Sequence, residues 1–199
     1  EFAAKNNLSG FEFLACIPGT IGGGLRMNAG CFGTEIKDIL VSIQAVDKNG
    51  NILTIPAKEV NFDYRNNDLS DDLIFLSASF KGKKQDTQRI LETMSKLKSK
   101  KDNNQPTKIK TSGSTFKNPI KITSKKAWEL IKESVPPDTK FGDACISKKH
   151  SNFFVNKGNA SFEDMKKLIN FVEKSVFKKT GIKVEKEIKI LENWKKKFW

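Results

Sequence analysis

The 199-residue chain has few of the residues that build disulfide frameworks, zinc sites or catalytic triads: three cysteines and one histidine. Cys16, Cys31 and Cys145 are odd in number and form no CxxC pair, which argues against a disulfide framework and against a metal site. A Ser-His-Asp triad would have to use His150, and no nucleophile-elbow sequence surrounds that residue. We therefore expect buried, reduced thiols, no bound metal and no triad hydrolase.

Long apolar runs are also missing. No stretch approaches the length of a membrane span, and the opening residues, EFAAKNNLSGFEFL, lack the charged-then-apolar pattern of a signal peptide. These absences predict a soluble, cytoplasmic protein that makes no membrane contact. Because the sequence starts at Glu1 rather than Met, we also expect that it can be part of a longer protein.

Acidic residues are fewer than basic ones, and the formal net charge is +13. One interpretation is a basic nucleic-acid-binding module, since clustered Lys and Arg neutralise phosphates. However, the charges are spread along the chain, with short clusters only at 98–101 and 195–197, and aromatic residues are not interleaved with them as a single-strand platform requires. The same positive field would favour an anionic small-molecule substrate.

The first half of the chain has the patterns of a sheet-rich fold. After a short helical stretch, residues 39–46 alternate, so that Val41, Ile43 and Ala45 share one face of a half-buried strand. Asn49-Gly50 is a strong hairpin signal. The remaining predicted elements here are a return strand over 51–55, a strand over 73–80 and a helix over 86–101.

The second half mixes helices and strands. Ser161, three residues before Asp164, has the pattern of a capping box that opens a helix, and Gly181 ends that helix. The alternation of Val184–Ile190 predicts a final strand. A helix over 124–133 and a short strand over 152–156 complete the half, and the polar run 98–107 is the predicted boundary. The class is therefore α+β in two lobes.

Between the first helix and the first strand lies a segment, residues 17–33, that holds six glycines. Glycine lets the backbone approach a ligand closely and take positive φ, and successive exposed N–H groups can form a nest for an anion. The segment lacks the Gly-Lys-Ser/Thr of a Walker A loop and is not a GxGxxG turn. From the residues alone, it is either a cofactor loop or an irregular glycine-rich connection.

Five segments in this order resemble the signatures of the UDP-N-acetylenolpyruvoylglucosamine reductase (MurB) family, and together they span nearly the whole chain. Residues 10–33, GFEFLACIPGTIGGGLRMNAGCFG, resemble the family's flavin-binding signature. The other four are FDYR at 62–65, GSTFKNP at 113–119, KHSNFFVNKG at 149–158 and GIKVEKEI at 181–188. Tyr64 is the only tyrosine and belongs to the second segment, so no inserted tyrosine loop is present, which implies the subclass that lacks it.

The resemblance implies a fold, cofactors and a reaction. The fold would be part of a PCMH-type FAD-binding domain, over residues 1–104, followed by a smaller substrate-binding α+β domain over 105–199. Family members pass hydride from NADPH to FAD and then to the double bond of UDP-N-acetylglucosamine enolpyruvate, forming UDP-N-acetylmuramate for peptidoglycan. The partners implied are thus that substrate and NADPH, with no nucleic acid, and we expect a monomer.

The resemblance also assigns roles to residues. Arg65 would hold the substrate carboxylate and the enolate-like charge, Ser114 would donate the proton, and Glu187 would assist the enol or orient the acid. Lys117 is implied as a neighbour that helps Ser114, and Glu185 as a neighbour of Glu187. The implied cofactor-binding residues are Ile17, Pro18, Gly19, Thr20, Gly22, Gly23, Gly24, Asn28 and Gly30, and the implied substrate-binding residues are Tyr64, Lys117 and Asn118.

Without the family, these residues have ordinary interpretations: an arginine after a strand, a Gly-Ser-Thr turn and a solvated strand face. The chain also departs from the family pattern. Asn67 stands where serine is frequent, Asp143 where a small residue is usual and Asn104 where a basic residue is common, and the tail Asn193–Trp199 has no counterpart.

The family carries an amino-terminal flavin-contacting domain before the position of Gly10, and this sequence does not include it. We therefore expect the 199-residue chain alone to bind FAD poorly, so that a yellow protein after purification would contradict this expectation. Two alternatives to the reductase are a non-catalytic fragment that retains UDP-sugar binding and the basic nucleic-acid-binding module.

Overall fold

A computed structural model describes residues 1–107 and 109–192, which form two compact units. The first unit spans Glu1–Asn103, and the second begins at Asn104. The tail Asn193–Trp199, including its lysine cluster, lies outside the described residues. Each unit has a hydrophobic core of its own, so each is described separately.

The first unit is built on antiparallel strand pairs, with short elements between them. Three short 3₁₀ helices lie at Glu12–Cys16, Ile36–Asp38 and Ala57–Glu59. The helices and strands, in chain order, are α1 Phe2–Lys5, β1 Leu8–Ser9, α2 Ile21–Arg26, β2 Gly30–Cys31, β3 Thr34–Glu35, β4 Leu40–Val46, β5 Ile52–Pro56, β6 Phe62–Asp63, β7 Asn66–Asn67, β8 Ile74–Phe80, β9 Lys83–Lys84 and α3 Thr87–Asn104.

The three longest strands of this unit pair in the order β5-β4-β8. The predicted hairpin is confirmed: β4 and β5 are antiparallel, and Gly50 in their turn has φ +86°. Ile43 and Ala45 are fully buried as predicted, whereas Val41 is 48% exposed. The reason is a register shift between β4 and β8 at Leu40/Ser42, which moves Val41 off the buried face. Helix α3 covers a smaller cluster through Ile90 and Met94.

The second unit, within residues 109–192, places two helices on an antiparallel sheet of strand order β10-β13-β12-β11. Its core includes Leu130 and Ile131 of the first helix, Phe154 of the sheet, and Leu168 and Val172 of the second helix, all at 2% exposure or less. The elements are β10 Thr111–Ser114, α4 Ala127–Ser134, β11 Lys140–Phe141, β12 Ala144–Ile146, β13 Phe153–Asn156 and α5 Phe162–Thr180.

Helix α5 begins and ends where its sequence predicts. The Ser161 hydroxyl accepts a hydrogen bond from Asp164 N at 3.1 Å, and the Asp164 carboxylate accepts one from Ser161 N at 2.9 Å. These reciprocal bonds are a capping box. The Asp164 carboxylate accepts from both Ser161 N and the Ser161 hydroxyl, and because these bonds stabilise its charged form they lower the pKa of Asp164. Gly181 terminates the helix at φ +70°.

The predicted strand over Val184–Ile190 is wrong, because this segment is not a strand. The predicted alternation of buried and exposed residues along it is correct. Val184, Ile188 and Ile190 pack on the second core, and Glu185 is exposed. Among the described residues, the segment forms a bridge only between Lys186 and Phe116, so it is extended chain rather than a strand. Alternation records which residues are buried, but a strand also needs a neighbour that continues the hydrogen-bond ladder.

The single histidine, His150, gives the second unit a pH-sensitive stability. Its ring packs against Phe153 at 4.8 Å between centroids and Trp128 at 6.2 Å. Burial, with a smaller contribution from the charge of Lys126, lowers the pKa of His150 below its usual value of 6.5. The unfolded chain therefore binds this proton more readily than the folded one, so stability is complete above the unfolded pKa and falls as pH decreases through the folded pKa.

We expect His150→Gln to flatten this dependence. The difference in unfolding free energy between about pH 7.5 and about pH 5.5 should be smaller in the variant than in the parent chain, because no other side chain type ordinarily titrates in that window. Urea unfolding at the two pH values measures it. An unchanged difference would show that the protonation of His150 is not linked to folding.

Within the two described ranges, no helix combines the length and the apolar character needed to cross a membrane.

Candidate functional site

The glycine segment, residues 17–33, is not an irregular loop throughout. Its middle forms helix α2, and Thr20 caps that helix by accepting a hydrogen bond from Gly23 N at 3.1 Å. Pro18, Gly19 and Thr20 are exposed ahead of the helix. The hydroxyl of Thr20, a residue that the resemblance implies for cofactor binding, thus accepts a hydrogen bond from the backbone.

The glycines of this segment fall into two groups when a Cβ is built on each. At Gly30 the added atom would lie 2.5 Å from the carbonyl oxygen of Thr34, and at Gly24 it would lie 2.7 Å from Ile36 Cδ1. Gly30 is therefore required by internal packing, because the added atom would meet backbone, whereas at Gly24 it would meet only the tip of the Ile36 side chain and the more distant Ala29 Cβ. At Gly22 the added atom would meet no described atom within 4 Å, and at Gly23 only Thr20 Oγ1 at 3.4 Å. Internal packing explains neither, and both leave main chain open to an approaching group.

We expect Gly30→Ala to lower the free energy of unfolding by about 1–3 kcal/mol, because the methyl group would collide with backbone that cannot move aside. Gly22→Ala is the matched control. It places the same methyl group in open space within a helix, where alanine is favoured over glycine by about 0.5–1 kcal/mol. Urea unfolding of the 199-residue chain, followed by circular dichroism, compares them. Equal stability of the two variants would contradict the assignment of Gly30 to packing.

Asn28, predicted to bind the cofactor, is fully buried and its amide is used inside the chain. Its Nδ2 donates to Glu35 Oε2 at 3.0 Å and to the Asp63 carbonyl at 3.1 Å, while its Oδ1 accepts from Lys37 N at 3.1 Å. Asn28 therefore connects the glycine segment to β3 and β6. These hydrogen bonds give Asn28 a structural role, and its contact with the cofactor stays a prediction.

Cys31 follows Gly30 in β2 and donates its thiol hydrogen to the Phe13 carbonyl at 3.3 Å. Burial, and then the neighbouring thiol of Cys16, raise the pKa of Cys31 to about 11. At neutral pH the group is therefore a protonated thiol and a poor nucleophile.

Tyr64 and Arg65 form the two-residue turn between β6 and β7, hereafter the Tyr-Arg hairpin, residues 62–67. Arg65 has φ +53°, an uncommon conformation for a residue with a side chain. Its Nη2 donates to the Gly30 carbonyl at 2.8 Å, and its guanidinium lies 4.9 Å from the ring centroid of Tyr64. The predicted carboxylate-binding arginine is thus held against the predicted cofactor-binding segment.

Asn67 and Arg26 add to this connection. The buried amide of Asn67, which stands at a position where serine is frequent in the family, donates to the carbonyls of Leu25 at 3.0 Å and Arg26 at 2.9 Å. The guanidinium of Arg26 donates to the carbonyls of Leu69, Ser70 and Leu73, each at 3.0 Å. Neither residue was predicted to have a role, because their partners are main-chain carbonyls distant in sequence.

In the second unit, the segments that carry Ser114 and Glu187 lie side by side. Ser114 ends β10, opposite Phe153. One residue later, the carbonyl of Thr115 accepts a hydrogen bond from Glu187 N at 2.9 Å, and Lys117 N donates to the Glu185 carbonyl at 2.8 Å. These bonds bring the main chain of the predicted acid and the predicted glutamate together. Arg65 belongs to the first unit, so its approach to both stays a prediction.

Asn152 is an organising residue that the sequence interpretation missed. Its buried side chain accepts from Phe116 N at 3.0 Å and donates to the Phe116 carbonyl at 2.8 Å, and its carbonyl accepts from Thr115 N at 2.8 Å. A side-chain amide therefore substitutes for a strand partner just after Ser114. The available signal was its place within the KHSNFFVNKG segment, a run that was matched to the family without a role for Asn152.

Lys117 and Asn118 also have partners within the unit. Lys117 Nζ lies 2.7 Å from Glu185 Oε1, so the cation expected beside Ser114 forms an ion pair with the neighbour of Glu187. The Asn118 Oδ1 accepts from Ala127 N at 3.0 Å, at the first residue of α4. Substrate contacts by both residues stay predictions. Their hydrogen bonds fix the turn that follows Ser114 onto the rest of the unit.

The departure at Asp143 has a structural explanation. Its carboxylate accepts from Asn159 N at 2.8 Å and its carbonyl from Lys157 N at 3.0 Å, so it closes the loop between β13 and α5. A Cβ on Gly158 would lie 2.6 Å from the same carboxylate. The third departure, Asn104, is the last residue of α3.

Comparison with known proteins matches each half of the chain to a known domain family. Residues 1–56 match the family model described as FAD binding domain, and residues 105–191 match the model described as UDP-N-acetylenolpyruvoylglucosamine reductase, C-terminal domain. The glycine segment lies within the first match, and Ser114 and Glu187 lie within the second. The two matches place the chain in the class of proteins that join an FAD-binding domain to a reductase C-terminal domain.

The chain belongs to the UDP-N-acetylenolpyruvoylglucosamine reductase family, which confirms the resemblance and the two-part α+β fold. It is 70% identical over 191 residues to the reductase of Pelagibacter ubique, covering 96% of this chain and 63% of that protein. It is 47% identical over 189 residues to the reductase of Rickettsia typhi, covering 95% and 63%. A crystal structure of the reductase (MurB) from Thermus caldophilus matches with a TM-score of 0.84 and 31% identity, over 96% of this chain and 67% of that one.

The chain thus spans about 63% of the length of these two curated relatives. The activity of the whole protein that contains this chain is therefore given as a proposal.

Proposed function

We propose that this chain is the catalytic part of an enzyme that reduces UDP-N-acetylglucosamine enolpyruvate to UDP-N-acetylmuramate with NADPH and FAD. The observation that carries the proposal is the 70% identity over 96% of the chain to a protein named UDP-N-acetylenolpyruvoylglucosamine reductase. The pairing of the Ser114 and Glu187 segments supports it, since an acid and a carboxylate that serve one reacting atom must be neighbours. The proposal includes a monomeric, cytoplasmic enzyme of peptidoglycan precursor synthesis.

The residues of the glycine segment fit a flavin cofactor. The stretch from Pro18 to Gly23 is exposed except at the half-buried Gly22, and Gly19, Gly22 and Gly23 present main chain without side chains. Internal packing accounts for neither Gly22 nor Gly23. Ile17, Pro18, Gly19, Thr20, Gly22 and Gly23 are thus proposed to line the cofactor, with Gly24, Asn28 and Gly30 shaping the segment beneath them. When bound, FAD would supply hydride-transfer chemistry between NADPH and the substrate.

Arg65 is proposed to bind the substrate carboxylate. A guanidinium is always charged near neutral pH and presents paired N–H donors to a carboxylate. It can therefore stabilise the negative charge that develops beside the carboxylate when hydride adds to the terminal carbon. The hydrogen bond from Nη2 to the Gly30 carbonyl orients the group before the substrate arrives, and Tyr64 packs on its face.

Ser114 is proposed to protonate the neighbouring carbon, and Glu187 to assist the enol or orient the acid. A serine hydroxyl is a weak acid, so the carbanion that it protonates must be strongly basic, or a nearby group must share the charge of the alkoxide. Lys117 is the cation nearest in sequence. Its ion pair with Glu185 partly neutralises the positive charge of Lys117. The proton transfer is therefore proposed to depend mainly on the basicity of the carbanion.

Glu187 and Glu185 are distinguished by their neighbours, and this gives a direct prediction. Glu187→Gln is expected to lower kcat by about 10²-fold or more, as for loss of a general acid–base group. Glu185→Gln, the matched control, removes the partner of Lys117 and is expected to change KM for the substrate while kcat stays near the parent value. Steady-state kinetics of both variants measure it. A loss of kcat in Glu185→Gln alone would exchange the two roles.

The proposed function is tested with a full-length protein that contains this chain. The protein is purified with FAD, reduced anaerobically with NADPH and mixed with UDP-N-acetylglucosamine enolpyruvate, and flavin absorbance and product mass are followed. We expect rapid reduction, rapid reoxidation by the substrate and formation of UDP-N-acetylmuramate. Substrate binding in calorimetry without reoxidation would instead identify a non-catalytic UDP-sugar-binding protein.

A further inference from the structure

We propose that Asn67 is a positioning residue that fixes the Tyr-Arg hairpin to helix α2 and thereby sets the place of the Arg65 guanidinium over the glycine segment. This inference rests on the proposed function for its catalytic meaning. Its structural part, the dependence of the Tyr64–Arg65 turn on the amide of Asn67, stands on hydrogen bonds within the first unit and is tested separately.

Asn67 is 9% exposed, and both the nitrogen and the oxygen of its side-chain amide form hydrogen bonds. Its Nδ2 donates to the carbonyls of Leu25 and Arg26 at the end of α2, at 3.0 and 2.9 Å, and its Oδ1 accepts from Leu69 N at 3.0 Å. The last carbonyls of a helix lack partners within the helix and must find donors elsewhere. Asn67 supplies such donors and is itself satisfied by doing so.

The hairpin is held at both of its strands. On β6, the Asp63 carbonyl accepts from Asn28 Nδ2 at 3.1 Å, and on β7, Asn67 donates to α2. Between them, Arg65 Nη2 donates to the Gly30 carbonyl at 2.8 Å. Two amides and one guanidinium therefore connect the hairpin to three points of the glycine segment, so movement of one part changes the position of the other.

The backbone of the turn needs such support. Arg65 has φ +53°, a left-handed conformation that brings the Cβ of an L-residue too close to the following carbonyl oxygen and is therefore unfavourable. A residue keeps such a strained backbone conformation only where contacts with the surrounding structure hold it there. Asn67 lies two residues after Arg65 and is buried, whereas the intervening Asn66 is exposed. Asn67 is accordingly the anchor on this side of the turn.

The chemistry of the amide makes the proposal testable by small substitutions. Asn67→Asp keeps the shape and the acceptor for Leu69 N, but removes both donors and places a carboxylate against two carbonyl oxygens. Asn67→Ser, which restores the residue frequent in the family, keeps one donor and one acceptor. Asn66→Asp introduces the same charge one residue away on an exposed side chain and is the matched control.

The first readout does not require activity. Tyr64 is the only tyrosine, so the 199-residue chain labelled with ¹³C-tyrosine gives one set of ring signals. We expect Asn67→Asp to shift and broaden these signals and to speed amide hydrogen exchange across the hairpin. Asn67→Ser should give signals near the parent positions, and Asn66→Asp should leave exchange unchanged. Parent-like signals and exchange in Asn67→Asp would overturn the proposal.

The second readout uses the full-length enzyme. We expect Asn67→Asp to lower kcat/KM for the enolpyruvyl substrate by about 10- to 100-fold, the cost of a misplaced substrate-binding group. Reduction of the flavin by NADPH should keep its parent rate, and Asn67→Ser should recover most of the loss. Altered Tyr64 signals with unchanged kcat/KM would overturn the catalytic part. If the parent enzyme reduces no substrate while the Tyr64 signals change, the proposed function fails and the anchoring by Asn67 stands.

Discussion

Ser114→Ala is expected to slow reduction of the enolpyruvyl substrate by about 10²- to 10⁴-fold in the full-length enzyme, the range for loss of a general acid. NADPH should still reduce the flavin at the parent rate, because Ser114 is proposed to act only after hydride has reached the substrate. The two half-reactions, followed separately by anaerobic stopped-flow absorbance, measure this. A parallel loss in both would assign Ser114 to the fold rather than to proton transfer.

The surroundings of Ser114 make this a clean substitution. It ends β10 opposite Phe153, and the next two residues are fixed by Asn152 and by the hydrogen bond from Glu187 N to the Thr115 carbonyl. These bonds involve main chain and the side chain of Asn152, so removing the Ser114 hydroxyl leaves them in place. Stability should therefore change little.

The matched control is Ser112→Ala, on an exposed residue of the same strand. It removes an identical hydroxyl and should leave kcat and KM unchanged. If Ser112→Ala slowed substrate reduction as much as Ser114→Ala, the loss of rate would be due to a disturbed strand and not to the missing Ser114 hydroxyl.

The elements that could be predicted from the sequence are those whose signals are local. Helix α5 is set by Ser161, Asp164 and Gly181, which act within one turn of the helix ends, and the β4–β5 hairpin is set by Asn49-Gly50. The paired strands of two residues, such as β2 with β3, are too short to show a period. They depend on turns and on side chains such as Asn28 that reach across the fold.

The same limit explains the residues of the site. Arg65, Ser114 and Glu187 were identified by their resemblance to family motifs, since a turn arginine, a turn serine and a half-buried glutamate have no periodic signature. Asn67 and Asn152 were missed because each binds main-chain atoms more than 35 residues away in sequence. An asparagine in a short strand looks like any polar residue until its partners are known. Burial of an amide is a property of the folded chain and not of the local sequence.

The glycines show where the sequence interpretation was too coarse. Five of the six glycines of the segment were assigned to a cofactor by resemblance. Built Cβ positions divide Gly24 and Gly30, where the added atom would lie within 3 Å of other parts of the chain, from Gly22 and Gly23, where it would not. Composition cannot make this distinction, because it depends on where Thr34 and Ile36 fold back onto the segment.

Arg65→Ala is expected to lower kcat/KM for the substrate by about 10²- to 10³-fold, because it leaves the substrate carboxylate and the developing charge without their partner. Arg65→Lys should recover only part of the loss. A lysine restores a point charge, but it lacks the planar paired donors and would not reproduce the Nη2 bond to the Gly30 carbonyl. Steady-state kinetics, with substrate affinity from calorimetry, measure both variants.

The exposed Arg89 on α3 provides the control, since Arg89→Ala removes the same charge from the same unit and should leave kcat/KM unchanged. The decisive comparison is with the flavin half-reaction. If Arg65 binds the carboxylate, its variants lose substrate reduction while NADPH oxidation by the flavin persists. If its main task were to hold the strained hairpin against Gly30, the ring signals of Tyr64 in Arg65→Ala would broaden as expected for Asn67→Asp. The guanidinium contacts both Tyr64 of the hairpin and the glycine segment, so a loss of kcat/KM alone does not distinguish substrate binding from support of the fold. The rate of flavin reduction and the ring signals of Tyr64 together distinguish them.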